Sequence, residues 1–180
     1  MLCVSLMFIS VISPNRLPSL GQIGAFYFEV MNQSQVWMDL VPQNSEPGPN
    51  PVKVNFTVAF PGYEIKDTPD EVEVRAESID TAFPQRSRQP IMKFQLEDGT
   101  DVDLTAPGKT FTIRGGWFNR DLSYMVIVRM PFSYLQTIAA SNSLRIEALG
   151  FILDMESEDI QSLRRYVKTV QNGVRLSPLE

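Results

Sequence analysis

The sequence predicts a mainly β protein: an antiparallel β-sandwich or barrel with a short helix near residues 131–140 and a C-terminal amphipathic helix near 157–171. Three observations carry this. The run from Val52 to Phe60 alternates strictly, so that Val52, Val54, Phe56, Val58 and Phe60 share one face, as in a strand with one side buried. An Asp98-Gly99 pair lies between two alternating runs, where it predicts a tight type I′ hairpin turn with positive φ at both central residues. Turn signals recur at intervals of about eight to twelve residues, and helical periodicity begins only beyond residue 130, too late for an array of βαβ units.

Taken in order, residues 23–31 and 35–41 read as strands rich in aromatic and β-branched residues, divided by the turn-forming triplet Asn32-Gln33-Ser34. Trp37, inside the second, is assigned to the core. Residues 42–51 hold four prolines in ten and are expected to have no regular structure. After Val52–Phe60, which ends at Pro61-Gly62, residues 72–79 alternate again with charges on the outer face. A polar loop over 83–90 precedes Met92, Phe94 and Leu96, and Val102 and Leu104 follow the hairpin. Residues 111–114 and 123–129, divided by Gly115-Gly116-Trp117, complete the strand set apart from a last hairpin, 144–149 with 151–153, turning at Gly150.

Pro131 is placed at the first position of the first helix, with Phe132, Leu135, Ile138 and Ala139 on one face. In the second helix Ser157 is the expected cap. Glu158 and Asp159 suit the positive end of its dipole, and Arg164, Arg165 and Lys168 lie towards the negative end. Ile160, Leu163, Val167 and Val170 make its apolar stripe, which is expected to cover an open end or edge of a sheet. The division is a signal-like leader over 1–21, a single β-rich domain over 22–172 and a C-terminal tail over 173–180.

The chain has no histidine, and its single cysteine, Cys3, stands at the N-terminus. Without imidazole there is no Ser-His or Cys-His nucleophile pair, and the His/Cys zinc sites are missing too. No metal or organic cofactor and no catalytic residue is predicted. The apolar (43%) and charged (21%) fractions are those of a globular domain. A net charge of −5, with no basic run longer than a pair, argues against nucleic acid as a partner.

Residues 1–13 are almost wholly apolar and break at Pro14. That length suits the middle of a secretory signal and is too short for a transmembrane helix. Ser19 and Gly21 offer a cleavage site. No Lys or Arg precedes the apolar run, which a start codon placed too far downstream would explain; the alternative is a buried N-terminal strand or helix. Export to the periplasm or the extracellular space is predicted, leaving a mature chain with no cysteine and no disulfide.

The C-terminal third resembles small exported bacterial β-rich proteins of unknown function. The resemblance rests on Met130-Pro131-Phe132, Leu135, Ile138 to Ser141, Leu144 to Glu147, Leu149 to Leu153, and Ile160, Leu163 to Tyr166; upstream, Leu96 to Gly99 is similar as well. It covers less than half of the chain, and it is interrupted by Met155 and Glu156 and by the Pro-rich stretch near residue 45. It implies an exported β-rich domain with no catalytic residues to carry over.

Four residues are the binding candidates. Trp117 and Phe118 follow two glycines, a setting in which aromatics recognise sugar rings or peptide, or plug the end of a sandwich. Arg86 and Arg88 could grip a phosphate or carboxylate, or stand as solvated loop charges; their spacing and the missing Asp/Asn-x-Ser-x-x-Gly element exclude a PilZ-type receptor. Glu97, Asp98, Asp101 and Asp103 invite a calcium reading, but the order is not that of an EF-hand, and solvated charges are expected. Asn32-Gln-Ser34 and Asn55-Phe-Thr57 match glycosylation acceptors.

Glu29, Asp39, Glu147 and Asp154 are conceivable acids for carboxylate catalysis, each equally readable as the outward residue of an amphipathic strand. A Ser-Lys dyad using Ser78 or Ser141 has no spacing to select it. The sequence therefore favours a non-enzymatic module that binds a protein or cell-envelope component or serves as a structural subunit of a larger assembly, two readings it does not separate, with a carboxylate-based hydrolase of polysaccharide as the alternative.

Overall fold

The computed structural model describes residues 23–40, 45–46, 52–79, 92–104, 114–115, 122–149 and 151–176. Two antiparallel sheets face each other, and neither closes into a barrel. The larger has five full strands, β1 (Ile23–Phe28), β2 (Gln33–Leu40), β4 (Val52–Pro61), β5 (Glu71–Ile79) and β9 (Leu122–Pro131), with the two-residue β8 (Arg114–Gly115) at one edge; the order is β1-β2-β4-β5-β9-β8. The smaller has four, β6 (Met92–Leu96), β7 (Asp101–Asp103), β10 (Leu144–Ala148) and β11 (Phe151–Met155), with the two-residue β3 (Ser45–Glu46) outermost, ordered β3-β11-β10-β6-β7. The Pro-rich stretch thus contributes a short strand where none was expected: Ser45 and Glu46 pair with Leu153 and Ile152, and neither is a proline, so both main-chain amides are free to join a ladder.

The alternation read in the sequence is the reason the sheets meet. Val52, Val54, Phe56 and Val58 are wholly buried, as are Val72, Val74 and Ala76 on the neighbouring strand and Met92, Phe94 and Ile146 on the opposite sheet. Phe56 and Phe94 touch across the gap with ring centroids 6.3 Å apart. One continuous apolar cluster includes these residues and the inner faces of both helices.

Helix α1 (Phe132–Ala140) follows β9 directly; Pro131 is its N-cap and not its first helical residue, and Phe132 N–H donates to Asp70 O at 2.8 Å. Helix α2 (Ser157–Gln171) packs on α1 and touches β2 and β11, so it bridges the two sheets. Its cap is Glu156 and not Ser157. Asp159 Oδ2 accepts the Glu156 main-chain N–H at 3.1 Å, one half of a capping box. Tyr166, buried by α2, donates its hydroxyl to Val36 O at 2.9 Å, and burial pushes that phenol well above its ordinary range.

The β6–β7 turn differs from the expected type I′. Gly99 N donates to Leu96 O at 3.0 Å and Leu96 N to Thr100 O at 2.9 Å, and only Gly99 has a positive φ (+78°). This is a type I turn closed by a glycine bulge, the three-residue hairpin solution. Asp98 is free of the left-handed region. Its carboxylate accepts the Thr100 N–H at 2.9 Å, which holds it below the usual carboxylate range. The β10–β11 hairpin turn takes in Leu149 (φ +56°), and Gly150, the expected turn residue, lies outside the described residues. Beyond α2 the chain continues in order: Ile65 N donates to Val174 O at 2.9 Å and Leu176 N to Tyr63 O at 2.8 Å.

Candidate functional site

The outer face of the larger sheet carries the site. Cross-strand register places Gly24, Trp37, Thr57, Glu73 and Arg129 in one transverse row running over five strands, because Gly24 pairs with Trp37, Trp37 with Thr57, Thr57 with Glu73 and Glu73 with Arg129. Two rows flank it: Phe26, Gln35 and Ala59 on one side, and Asp39, Asn55, Arg75 and Ile127 on the other.

Side-chain size turns this face into a trench of about 560 Å³. β4 presents Asn55, Thr57 and Ala59, short side chains that form the floor; Trp37 and Phe26 border it on one side, and Glu71, Glu73, Arg75 and Arg129 on the other. The trench runs along β4, and the four residue steps from Asn55 to Ala59, at about 3.3 Å each, give its floor a length on the order of 13 Å.

Trp37 lies on the backbone of Gly24. A Cβ at residue 24 would come within 2.7 Å of indole Cη2 and closer to Cε2 and Cζ2. The glycine is therefore required for the indole to lie down on edge strand β1. Phe26 meets the indole edge-on, ring centroids 5.1 Å apart, and Phe28 abuts Phe26 at 4.0 Å. Trp37 is half-buried on the outer face, not in the core as expected; the core residues of β2 are Val36, Met38 and Leu40.

The polar groups of the face hold one another in place. Asn55 Nδ2 donates to Asp39 Oδ1 at 2.8 Å, Thr57 Oγ1 donates to Asn55 Oδ1 at 2.6 Å, and Lys53 Nζ pairs with Asp39 Oδ2 at 2.8 Å. On the far wall Arg75 reaches Glu73 Oε1 at 3.1 Å, while Arg129 Nε stands 3.9 Å from Glu73 Oε2. Arg75 Nε is buried with no acceptor. Leaving such a donor unsatisfied costs about 1–3 kcal/mol.

The four predicted binding residues, Trp117, Phe118, Arg86 and Arg88, lie outside the described residues, as do the leader and the side chain of Ser78. The other candidates are placed. Asp39 is engaged as above, Asp154 pairs with Arg145 at 2.6 Å, Glu147 stands on β10 opposite Lys93 and Ile152, and Glu29 is exposed in the single 3₁₀ turn Glu29–Met31. Ser141 Oγ donates to Ser143 O at 2.6 Å and accepts the Glu97 N–H at 3.2 Å, so it is committed to the α1–β10 corner. The acidic run does not converge: Glu97 accepts from Asn142 at 3.0 Å, Asp98 turns to Thr100, and Asp103 lies 3.8 Å from Lys93. Among the described residues no group of three or more acidic, His or Cys side chains is placed to hold a metal ion, and no helix is long and apolar enough to cross a membrane.

Of the trench residues, the sequence marks Trp37, as core, and Asn55 and Thr57, as the ends of a glycosylation triplet; nothing in it groups Glu73, Arg75 and Arg129. No protein-family model matches the chain, and no curated protein or solved structure matches it. The geometry of the outer face therefore carries the functional argument.

Proposed function

We propose that the protein is a non-enzymatic, exported binding module that holds a cell-envelope component in the trench on the outer face of its larger sheet. One observation carries this reading: an aromatic wall and a guanidinium–carboxylate wall stand on either side of a shallow polar floor. Such a surface is pre-organised by its own hydrogen bonds, which lowers the ordering cost of binding.

A hydrolase would need two carboxyl groups flanking the bond to be cut. Glu71 and Glu73 stand on the same strand and the same wall, and both oxygens of Glu73 face guanidinium nitrogens. A carboxylate engaged in this way is poorly placed to pass a proton to a leaving group. The carboxyl that burial raises, Asp159, belongs to the cap of α2 and not to the trench.

Co-sedimentation with isolated envelope fractions tests the reading. The protein is expected to pellet with one fraction, to lose that association in an Arg75→Ala, Arg129→Ala double variant, and to release no reducing ends. Turnover that disappears in Glu73→Gln would replace the binding reading with the hydrolase. N-terminal sequencing of protein from native cells tests export: a start after residue 21 supports it, and a retained Met1 in the soluble cytosolic fraction overturns it.

A further inference from the structure

We infer that the trench takes a neutral, hydroxyl-rich oligosaccharide chain, stacked on Trp37 and hydrogen-bonded by the opposite wall. The inference rests on the binding-module reading and adds the chemical class of the ligand.

Charge decides first. The ionisable residues lining the trench are Glu71 and Glu73 against Arg75 and Arg129, two of each sign, with Glu73 already shared between the arginines. A uronate or phosphate chain would have to compete with Glu73 for the guanidiniums, and a cationic chain would have to compete with the arginines for Glu73. An uncharged ligand meets neither obstacle.

Polar chemistry decides second. A sugar hydroxyl donates and accepts together, so a site for it needs both kinds of group within one residue's reach. Across the trench Gln33, Gln35 and Asn55 offer amide donors and acceptors, Thr57 offers a hydroxyl, and Glu73 and Arg75 offer an acceptor beside a donor. The Arg75 side chain is 40% exposed overall, so the accessible part of its guanidinium can donate to a ligand oxygen.

The aromatic wall decides third. With one side of its indole against Gly24, Trp37 has a fixed plane whose other side is available to the C–H face of a pyranose ring. A peptide would be expected elsewhere. Strand addition uses a sheet edge and not a face, and a floor of Asn55, Thr57 and Ala59 offers no apolar pockets for alternate side chains. The floor's length, on the order of 13 Å along β4, suits a short oligosaccharide lying parallel to that strand.

The test is calorimetric titration of the whole chain with neutral oligosaccharides (cello-, xylo- and manno-oligomers), an acidic oligogalacturonate and a cationic chitosan oligomer. At least one neutral oligomer is expected to bind saturably. Trp37→Ala should weaken it by about tenfold or more, as should Arg75→Leu on the opposite wall. Val30→Ser, on the exposed hairpin tip away from the trench, should leave binding unchanged. Far-UV circular dichroism and thermal melting of each variant separate a lost contact from a lost fold, and Glu73→Gln serves as a second wall variant if Arg75→Leu does not fold. Binding of only a charged oligomer, abolished by Trp37→Ala, overturns the neutral class but leaves the binding module standing. Binding of no saccharide overturns the inference, and the module reading then falls only if the envelope fractions are not bound either. Reducing ends released by wild type and not by Glu73→Gln overturn both.

Discussion

Arg164 on α2 donates from Nε to the main-chain oxygen of Ala139, the next-to-last residue of α1, at 2.8 Å. The same guanidinium donates to Ser141 O at 2.8 Å, to Asn142 Oδ1 at 3.1 Å and, at the limit of reach, to Ala140 O at 3.5 Å. The last carbonyls of a helix have no partner within it, and here a side chain from the neighbouring helix supplies one in a planar fork. Asn142 in turn donates to Glu97 Oε2 at 3.0 Å, so the two helices and the β6–β7 hairpin are joined at one corner.

Because the fork reaches several acceptors at once, lysine cannot replace it. Arg164→Lys is expected to destabilise the fold by about 1–2 kcal/mol and Arg164→Ala by about 2–3 kcal/mol. Denaturant unfolding with an unchanged m-value checks this. Equal stability of Arg164→Lys and wild type would mean that a point charge suffices.

Two glycines separate backbone strain from steric clash. Gly62 and Gly173 have φ of +74° and +81°, but a Cβ at Gly62 meets nothing within 4 Å, whereas one at Gly173 falls 2.8 Å from Ile65 O. Gly62→Ala is expected to cost about 1–2 kcal/mol for the left-handed conformation alone. Gly173→Ala should cost more, because the Ile65 carbonyl belongs to backbone that also donates to Val174. Paired unfolding curves decide it: equal losses would show that the contact relaxes freely.

The layout of strands was readable because burial follows the pleat. Val52 to Phe60 and Val72 to Ala76 present their apolar residues at every second position, and those positions are the buried ones. Ile160, Leu163, Val167 and Val170 fall inward on α2 for the equivalent reason at helical period. Trp37 was not readable. Val36, Trp37 and Met38 are consecutive apolar residues, so period two cannot say which of them faces out, and a neighbouring glycine on another strand settles it. Glu73, Arg75 and Arg129 are brought together only by the pairing of β5 with β9, a relation that no local window contains.

Asp159 links stability to pH. It is 4% exposed, and desolvation raises its carboxyl above the ordinary value even though it accepts the Glu156 N–H. The native state therefore keeps this proton at pH values where the unfolded chain, titrating near about 3.9, has lost it. The contribution of Asp159 to stability falls as pH rises through that window and is constant above it. Asp159→Asn keeps an acceptor for the Glu156 amide and removes the titration. The difference in unfolding free energy, wild type minus Asp159→Asn, should decrease as pH rises from about 4 and then level off; a difference independent of pH would refute the assignment.

Gly24→Ala tests the Trp37 platform without touching a polar group. The φ of Gly24 is not positive, so alanine itself is compatible with the strand, and the consequence is confined to the indole that a Cβ would displace. In a Trp117→Phe background Trp37 is the sole tryptophan. There, Gly24→Ala is expected to red-shift the emission as the indole lifts into water, with a loss of stability of about 1 kcal/mol at an edge strand. It should also weaken binding of a neutral oligosaccharide by about the same factor as Trp37→Ala, because a stacking surface acts only in its fixed plane. Red-shifted emission with full affinity would remove Trp37 from the site; unchanged emission would show that the indole does not depend on Gly24.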